Sequence, residues 1–186
     1  MPLPPFNSRG LLPDGVHAAT EDELKERCVD PFPTSRTRQP VFDGFCRYRS
    51  DLGGLSLNIT QWVDGSFTDE SRIDPDDIDL VNFVSANEIN AISAPDRSRA
   101  AALLNGRGAT KAAYSCHTFV ATVFPPGHPF EPMFERQRLY WRKWWSTPQD
   151  YSKPPVKTPA PHRGSKGIVL MTIGTPTAAP TINTSL

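Results

Sequence analysis

The stretch that decides the fold is LSLNITQWVDGSFTDESRIDPDDIDLVNFV, residues 55–84. Its first part, Leu55 to Val63, alternates apolar and polar side chains, which predicts a β-strand with one buried face. Its last part, Ile78 to Val84, is mostly apolar and predicts a second strand. Between them lie the turn Asp64-Gly65-Ser66-Phe67 and an acidic run that ends at the second strand. We therefore expect the polar chemistry of this protein at the ends of these two successive strands.

Local patterns on both sides of this stretch predict helices and further strands. Thr20 and Glu23 form a capping box that begins a helix ending near Cys28. A second helix is expected from about residue 35 to 52, because apolar residues recur there at helical spacing. Two more helices are predicted over 95–104 and 131–145, and two more strands over 114–124 and 167–173. The order of these elements predicts an α+β fold.

Proline is distributed very unevenly along the chain. There are 20 prolines in 186 residues, but only Pro75 and Pro95 fall between residues 52 and 124. Since proline breaks helix and sheet interiors, we expect a compact centre with extended, proline-rich N- and C-terminal arms. The predicted organisation is an extended arm over 1–19, a single domain over 20–173, and a disordered tail over 174–186.

Charge and cysteine content narrow the class of protein. The chain has 20 basic and 20 acidic residues, which argues against broad non-specific DNA binding. No apolar run reaches the roughly 20 residues of a membrane span, and the first residues lack the layout of a secretory signal. Three widely spaced cysteines without a CxxC pair favour a reducing compartment. We therefore predict a cytoplasmic protein with no membrane partner.

The chemistry is concentrated in Gly65-Ser66 and in Asp77-Ile78-Asp79. Residues i and i+2 of a strand point to the same face, so Asp77 and Asp79 can aim at one point. Two carboxylates on one face are favourable when a hard cation such as Mg²⁺ lies between them. The Gly-Ser turn allows a phosphate to approach the backbone closely. The alternative is an ordinary solvated acidic loop, since residues 64–79 hold seven acids and one base.

These motifs resemble the signature of the nucleotidyltransferase superfamily typified by DNA polymerase beta. The nearer resemblance is to small uncharacterised bacterial and phage proteins of that superfamily, and it spans most of residues 4–170. It is carried by Asp64-Gly65-Ser66-Phe67 and Asp77-Ile78-Asp79, with weaker likeness at 4–17, 125–129, Trp141 and 166–168. The resemblance implies a small mixed β-sheet backed by helices. It also implies that Asp77 and Asp79 hold Mg²⁺, with Mn²⁺ as an alternative, and that Gly65 and Ser66 hold the triphosphate of an NTP.

One feature departs from this superfamily. Its active members usually carry a third carboxylate on a later strand, but residues 106–130 contain no Asp or Glu. His117 takes the equivalent place. An imidazole can act as a general base near neutral pH, but it is a poor ligand for Mg²⁺. His117 is therefore either a catalytic group or a structural one.

Two functions remain open from the sequence. In the first, the chain transfers a nucleoside monophosphate from an NTP to a protein, RNA or small-molecule acceptor, with Asp77, Asp79 and His117 as catalytic residues. By family analogy such a protein can belong to a toxin–antitoxin or phage-defence system and have a partner protein. In the second, the chain is a catalytically degenerate binding or antitoxin-like module that lacks the third carboxylate.

The predicted helix over 131–145 combines basic and aromatic residues. Tyr140, Trp141, Trp144 and Trp145 lie in a region, 131–166, with eight bases and three acids. The bases either attract an anionic ligand or form an ordinary solvated surface. The aromatic rings either stack on nucleobases or pack in the core. Their helical spacing favours the core.

Overall fold

A computed structural model describes residues 2–150 and 158–174 of the chain. Its strands are β1 (Val16–Ala18), β2 (Ile59–Asp64), β3 (Ile78–Ser85), β4 (Cys116–Val123), β5 (Gln149–Asp150), β6 (Thr158–Pro159) and β7 (Ile168–Ile173). Its helices are α1 (Glu21–Cys28), α2 (Arg38–Gly53), α3 (Ala86–Ala91), α4 (Ala94–Leu104), α5 (Gly108–Tyr114) and α6 (Glu131–Trp145). Short 3₁₀ turns occur at Ser66–Thr68 and Pro161–Arg163. Among the described helices, none has the length and apolar character needed to cross a membrane.

The main sheet is mixed, with the strand order β1-β7-β2-β3-β4 among the described residues. The pairs β1–β7 and β3–β4 are parallel, whereas β2 is antiparallel to both of its neighbours. The strands β5 and β6 form a separate short pair within the predicted C-terminal loop, of which residues 151–157 lie outside the described part. The predicted α+β class is thus confirmed.

Helices cover both faces of this sheet, as the alternation of its side chains requires. On one face, Ile78 and Leu80 of β3 pack with Phe45 of α2 in a core that also includes residues of α1 and α4. On the other face, Val81 and Phe83 pack with residues of α6 in a second core. Odd-numbered positions of β3 therefore face α6, and Asp79 belongs to that side.

The predicted helices are found close to their expected bounds. At the start of α1, the Thr20 hydroxyl accepts from the Glu23 amide, and the Glu23 carboxylate accepts from the Thr20 amide, as the capping box predicts. The strand expected from residue 55 begins only at Ile59, and Leu57 is buried ahead of it. The short helices α3 and α5 were not predicted, because a segment of six or seven residues has too little periodicity and needs tertiary packing to form.

The N-terminal segment, predicted as an extended arm, packs against the domain. Its strand β1 pairs with β7, and the side chains of Leu3, Leu11 and Leu12 are buried. Residues 175–186, which make up most of the predicted disordered tail, lie outside the described residues.

The acidic loop between β2 and β3 is held by a buried arginine. Arg38 at the start of α2 is 1% exposed. Its guanidinium donates to five carbonyl oxygens at 2.6 to 3.2 Å, those of Cys28, Phe67, Asp69, Arg72 and Ile73. Burial lowers the pKa of Arg38 from its ordinary value. A rigid fork of five N–H donors suits this role, and it fixes the loop that carries the chain from Gly65 to Asp77.

Candidate functional site

Three polar residues form a row across adjacent strands of the sheet. Asp64 at the end of β2 is opposite Asp79 of β3, which is opposite His117 of β4. His117 Nδ1 lies 3.1 Å from Asp79 Oδ1. All three side chains lie on the face that α6 covers, because they occupy the same pleat as the apolar residues of that core. The row is a direct consequence of strand register.

Asp77 joins this row from the residue just before β3. Asp77, Asp79 and His117 each offer one donor atom, and these atoms lie within 4.8 Å of one another. Asp77 and Asp79 are 4% and 9% exposed. The structure therefore brings together the two carboxylates and the imidazole that the sequence singled out.

The donor set fits a divalent cation. Donors on opposite sides of a cation with ligand distances of about 2.1 Å are roughly 4.2 Å apart. The donor atoms of Asp77, Asp79 and His117 are at most 4.8 Å apart, so a contraction of no more than about 0.6 Å brings them within this limit. Carboxylate oxygens suit Mg²⁺ and Mn²⁺, whereas the imidazole of His117 suits transition metals better.

Lys111 of α5 places a positively charged side chain next to Asp77. Its Nζ lies 2.8 Å from Asp77 Oδ2. Burial by itself would lower the pKa of Lys111, but the hydrogen bond and charge of Asp77 outweigh it and hold the pKa above its ordinary value. Lys111 has no signal as a site residue in the sequence, because the seven-residue helix α5 is too short to be predicted from periodicity. The order of the chain gave no sign that this segment reaches the start of β3.

Gly65 and Ser66 have different positions relative to the row. Gly65 has φ +87° and ψ −159°, a conformation that is open essentially to glycine. A Cβ at this position would overlap the carboxylate of Asp79. Ser66 begins a three-residue 3₁₀ turn, is 5% exposed, and lies outside the set of residues that line the adjoining cleft. Close backbone approach is thus present at Gly65, and the segment that follows it is a single turn of 3₁₀ helix.

A buried ion pair closes one end of the row. Lys166 Nζ lies 2.6 Å from Asp64 Oδ1 and also donates to the Gly65 carbonyl oxygen at 2.6 Å. Both side chains are 4% exposed, and the Thr68 hydroxyl donates to the same carboxylate at 2.9 Å. Burial raises the pKa of Asp64 to about 6, although Lys166 opposes the rise. The resemblance included Lys166, but its pairing with Asp64 has no signal in the sequence.

A second ion pair holds the segment that carries Lys166. Arg163 donates from both terminal nitrogens to Asp69, at 2.7 and 3.0 Å. Burial would raise the pKa of Asp69, but the hydrogen bonds of Arg163 lower it below its ordinary value. Two bases of the C-terminal region are thus committed to buried carboxylates. They act as structural anchors of the site.

The row opens into a cleft of about 310 Å³ between the sheet and α6. Its floor comes from the ends of β2, β3 and β4, namely Asp64, Gly65, Asp79, His117 and Phe119. Its wall is the aromatic side of α6, namely Tyr140, Trp141, Trp144 and Trp145. Thr147, Gln149 and Lys166 complete the lining. A polar floor and an aromatic wall are typical of ligand sites.

The four aromatic residues of α6 that line the cleft divide into two pairs. Trp145 is 5% exposed in the core, and Trp141 packs partly against that core. Tyr140 and Trp144 are 56% and 45% exposed. The favoured prediction of core packing is therefore correct for Trp145 and wrong for Tyr140 and Trp144, which lie one helical turn apart on the open side.

The fold and the site define an α+β protein with a carboxylate–imidazole cluster at the floor of an aromatic cleft. The chain belongs to the family of unknown function DUF6932, whose model matches residues 4–172. No curated protein and no solved structure matches the chain. The nucleotidyltransferase resemblance therefore remains a hypothesis.

Proposed function

We propose that this protein transfers a nucleoside monophosphate from an NTP to a hydroxyl-bearing acceptor on a protein, an RNA or a small molecule. The main observation in support is that the donor atoms of Asp77, Asp79 and His117 lie within 4.8 Å of one another. This convergence occurs beside Gly65, whose backbone lies directly against the Asp79 carboxylate. Two carboxylates on one strand, next to such a turn, form the arrangement that metal-assisted phosphoryl chemistry requires.

Each residue has a distinct role in this proposal. Asp77 and Asp79 would hold Mg²⁺ or Mn²⁺, and the cation supplies charge neutralisation at the phosphates. The amides at Gly65 and Ser66 bind triphosphate oxygens. If the Nδ1–H of His117 is donated to Asp79, the other ring nitrogen, Nε2, is left to accept a proton. The Asp79–His117 contact of 3.1 Å supports this tautomer.

The proposed reaction forms one bond to the α-phosphorus and breaks another. The acceptor oxygen forms a bond to the α-phosphorus of the NTP, and its proton moves to His117 Nε2. The bond from the α-phosphorus to the bridging oxygen breaks, and pyrophosphate leaves. General-base assistance of this kind contributes roughly 10²- to 10⁴-fold to the rate.

The alternative function is a binding module that retains the fold without catalysis. Lys111 favours it, because its ammonium group lies 2.8 Å from Asp77 and already neutralises a carboxylate that the metal would need. The absence of Asp and Glu from residues 106–130 favours it as well. In this alternative the nucleotide binds but no bond is broken.

A transfer assay separates the two functions. The purified protein is incubated with each α-labelled NTP, with Mg²⁺ or Mn²⁺, and with a cell extract as the source of acceptor. Asp77→Asn/Asp79→Asn is the test variant. Asp76→Asn is the matched control, because Asp76 belongs to the same acidic run but its side chain is 73% exposed. Metal and NTP binding are measured on the same proteins by calorimetry.

If the protein is a transferase, the wild type and Asp76→Asn transfer the label to an acceptor. The double variant Asp77→Asn/Asp79→Asn does not. NTP binding without transfer under any condition supports the module instead. Absence of both metal and NTP binding contradicts both functions.

The chain's thiols support a reducing, cytoplasmic setting for this activity. Cys28, Cys46 and Cys116 are all free. Burial raises the pKa of Cys28 to about 12 and raises that of Cys116 as well. These two groups therefore act as packing residues and not as nucleophiles.

A further inference from the structure

Tyr140 and Trp144 hold their rings parallel on the open side of α6. The two rings are parallel to within 9°, and their centroids are 6.5 Å apart. Exposed aromatic faces of this kind are surfaces on which another flat ring can stack. Both rings are also exposed, so the helix has no packing reason to hold them there.

The cleft contains a buried acceptor without a partner. Gln149 Oε1 is buried, and within residues 2–150 and 158–174 it has no hydrogen-bond partner. The amide of the same side chain is held by its Nε2, which donates to the Thr147 carbonyl oxygen at 3.1 Å. An unsatisfied buried acceptor costs roughly 1–3 kcal/mol. A ligand with an N–H donor would remove that cost.

The aromatic wall is continuous with the catalytic floor. The His117 ring lies 4.5 Å from the Phe119 ring, and the Phe119 ring lies 4.6 Å from that of Trp141. Trp141 in turn lies 5.2 Å from Tyr140. A ligand whose phosphates lie at Asp79 can therefore extend along this line of rings to the exposed ring of Trp144.

We infer that the wall of α6 is the base-binding subsite of this cleft. It would take the nucleobase of the NTP by stacking at Tyr140 and Trp144, with a base N–H donated to Gln149 Oε1. This inference rests on the proposed function for the position of the phosphates, but base binding itself needs no catalysis. Stacking of this kind accepts any base. Bases with an exocyclic amine suit the Gln149 acceptor best.

The test compares a nucleotide with its base-free counterpart. Calorimetry with Mn²⁺ present gives the affinities of the full-length protein for ATP and for inorganic tripolyphosphate. Trp144→Ala removes the stacking ring, Trp144→Phe keeps a ring, and Leu139→Ala is the matched control. Leu139 is 46% exposed on the same helix, and it does not belong to the cleft lining. Gln149→Met removes the acceptor at similar volume.

The expected results follow from a stacking contribution of about 5- to 150-fold per base. ATP binds the wild type at least about 5-fold more tightly than tripolyphosphate does. Trp144→Ala loses most of this difference and leaves tripolyphosphate binding unchanged. Trp144→Phe and Leu139→Ala retain it. Gln149→Met weakens ATP binding by about 5-fold, the effect of one lost hydrogen bond.

Three outcomes overturn the inference. The first is equal affinity of the wild type for ATP and tripolyphosphate, and the second is an equal loss of both ligands in Trp144→Ala. The third is no measurable binding of ATP by the wild type. Base-dependent binding without any nucleotidyl transfer would leave this inference in place and refute the proposed transferase activity.

Discussion

The ion pair between Lys166 and Asp64 gives the most quantitative prediction. Both side chains are 4% exposed, and their charged atoms are 2.6 Å apart. Substituting Lys166→Met keeps an apolar chain of similar length but leaves the Asp64 carboxylate buried, with the Thr68 hydroxyl still donating to it. Removing one partner of a buried pair typically costs about 3–5 kcal/mol. The Gly65 carbonyl oxygen also loses its Lys166 donor, so we expect the upper part of this range.

The cost must also depend on pH, with a definite sign. The pKa of Asp64 in the folded protein is about 6, above its ordinary value of 3.8. The folded protein thus binds this proton more tightly than the unfolded chain, and Asp64 lowers the free energy of unfolding as the pH rises through that window. Loss of Lys166 raises the pKa further. At neutral pH, each unit by which the pKa of Asp64 rises toward the solution pH lowers the free energy of unfolding by about 1.4 kcal/mol.

Urea unfolding measured at about pH 8 and about pH 5 tests this reasoning. Lys166→Met is expected to be strongly destabilised at the higher pH and much less at the lower pH, where Asp64 is protonated. Asp64→Asn/Lys166→Met should be more stable at the higher pH than Lys166→Met alone. Lys143→Met is the control, since Lys143 is an exposed lysine of α6. A cost below about 1 kcal/mol at both pH values, the range of an exposed pair, would refute the buried-pair account.

Three further substitutions test other parts of the site. Gly65→Ala should lower the free energy of unfolding in urea by about 1–3 kcal/mol because of the positive φ. It should also weaken metal binding in calorimetry, because its Cβ displaces the Asp79 carboxylate. Unchanged metal affinity would contradict the second expectation. His117→Ala should lower the transfer rate by about 10²- to 10⁴-fold while NTP affinity stays within a few fold; an equal loss of metal affinity would identify His117 as a ligand instead of a base. Arg38→Met should lower the free energy of unfolding in urea by about 3 kcal/mol or more, because five carbonyl oxygens lose their donor; a change below about 1 kcal/mol would show that water replaces the guanidinium.

Local patterns predicted most of the secondary structure. The bounds of α6 and the capping box of α1 agree with the structure, because helix caps and apolar spacing act within a few residues. Asp77 and Asp79 were expected on one face, since i and i+2 share a side of any strand. The short helix α5 escaped prediction because its stability comes from packing and from contacts such as Lys111 with Asp77.

The sequence therefore specifies the longer helices and the main strands, the α+β class and the pair of carboxylates that point together. Tertiary structure alone decided that Asp64, Asp79 and His117 form one row, because strand register depends on residues far apart in the chain. It also decided that Lys166 neutralises Asp64 and that Trp144 lies open while Trp145 is buried. Helical spacing places both tryptophans on one helix, but the sheet against which α6 packs decides which of them reaches the core and which faces the cleft.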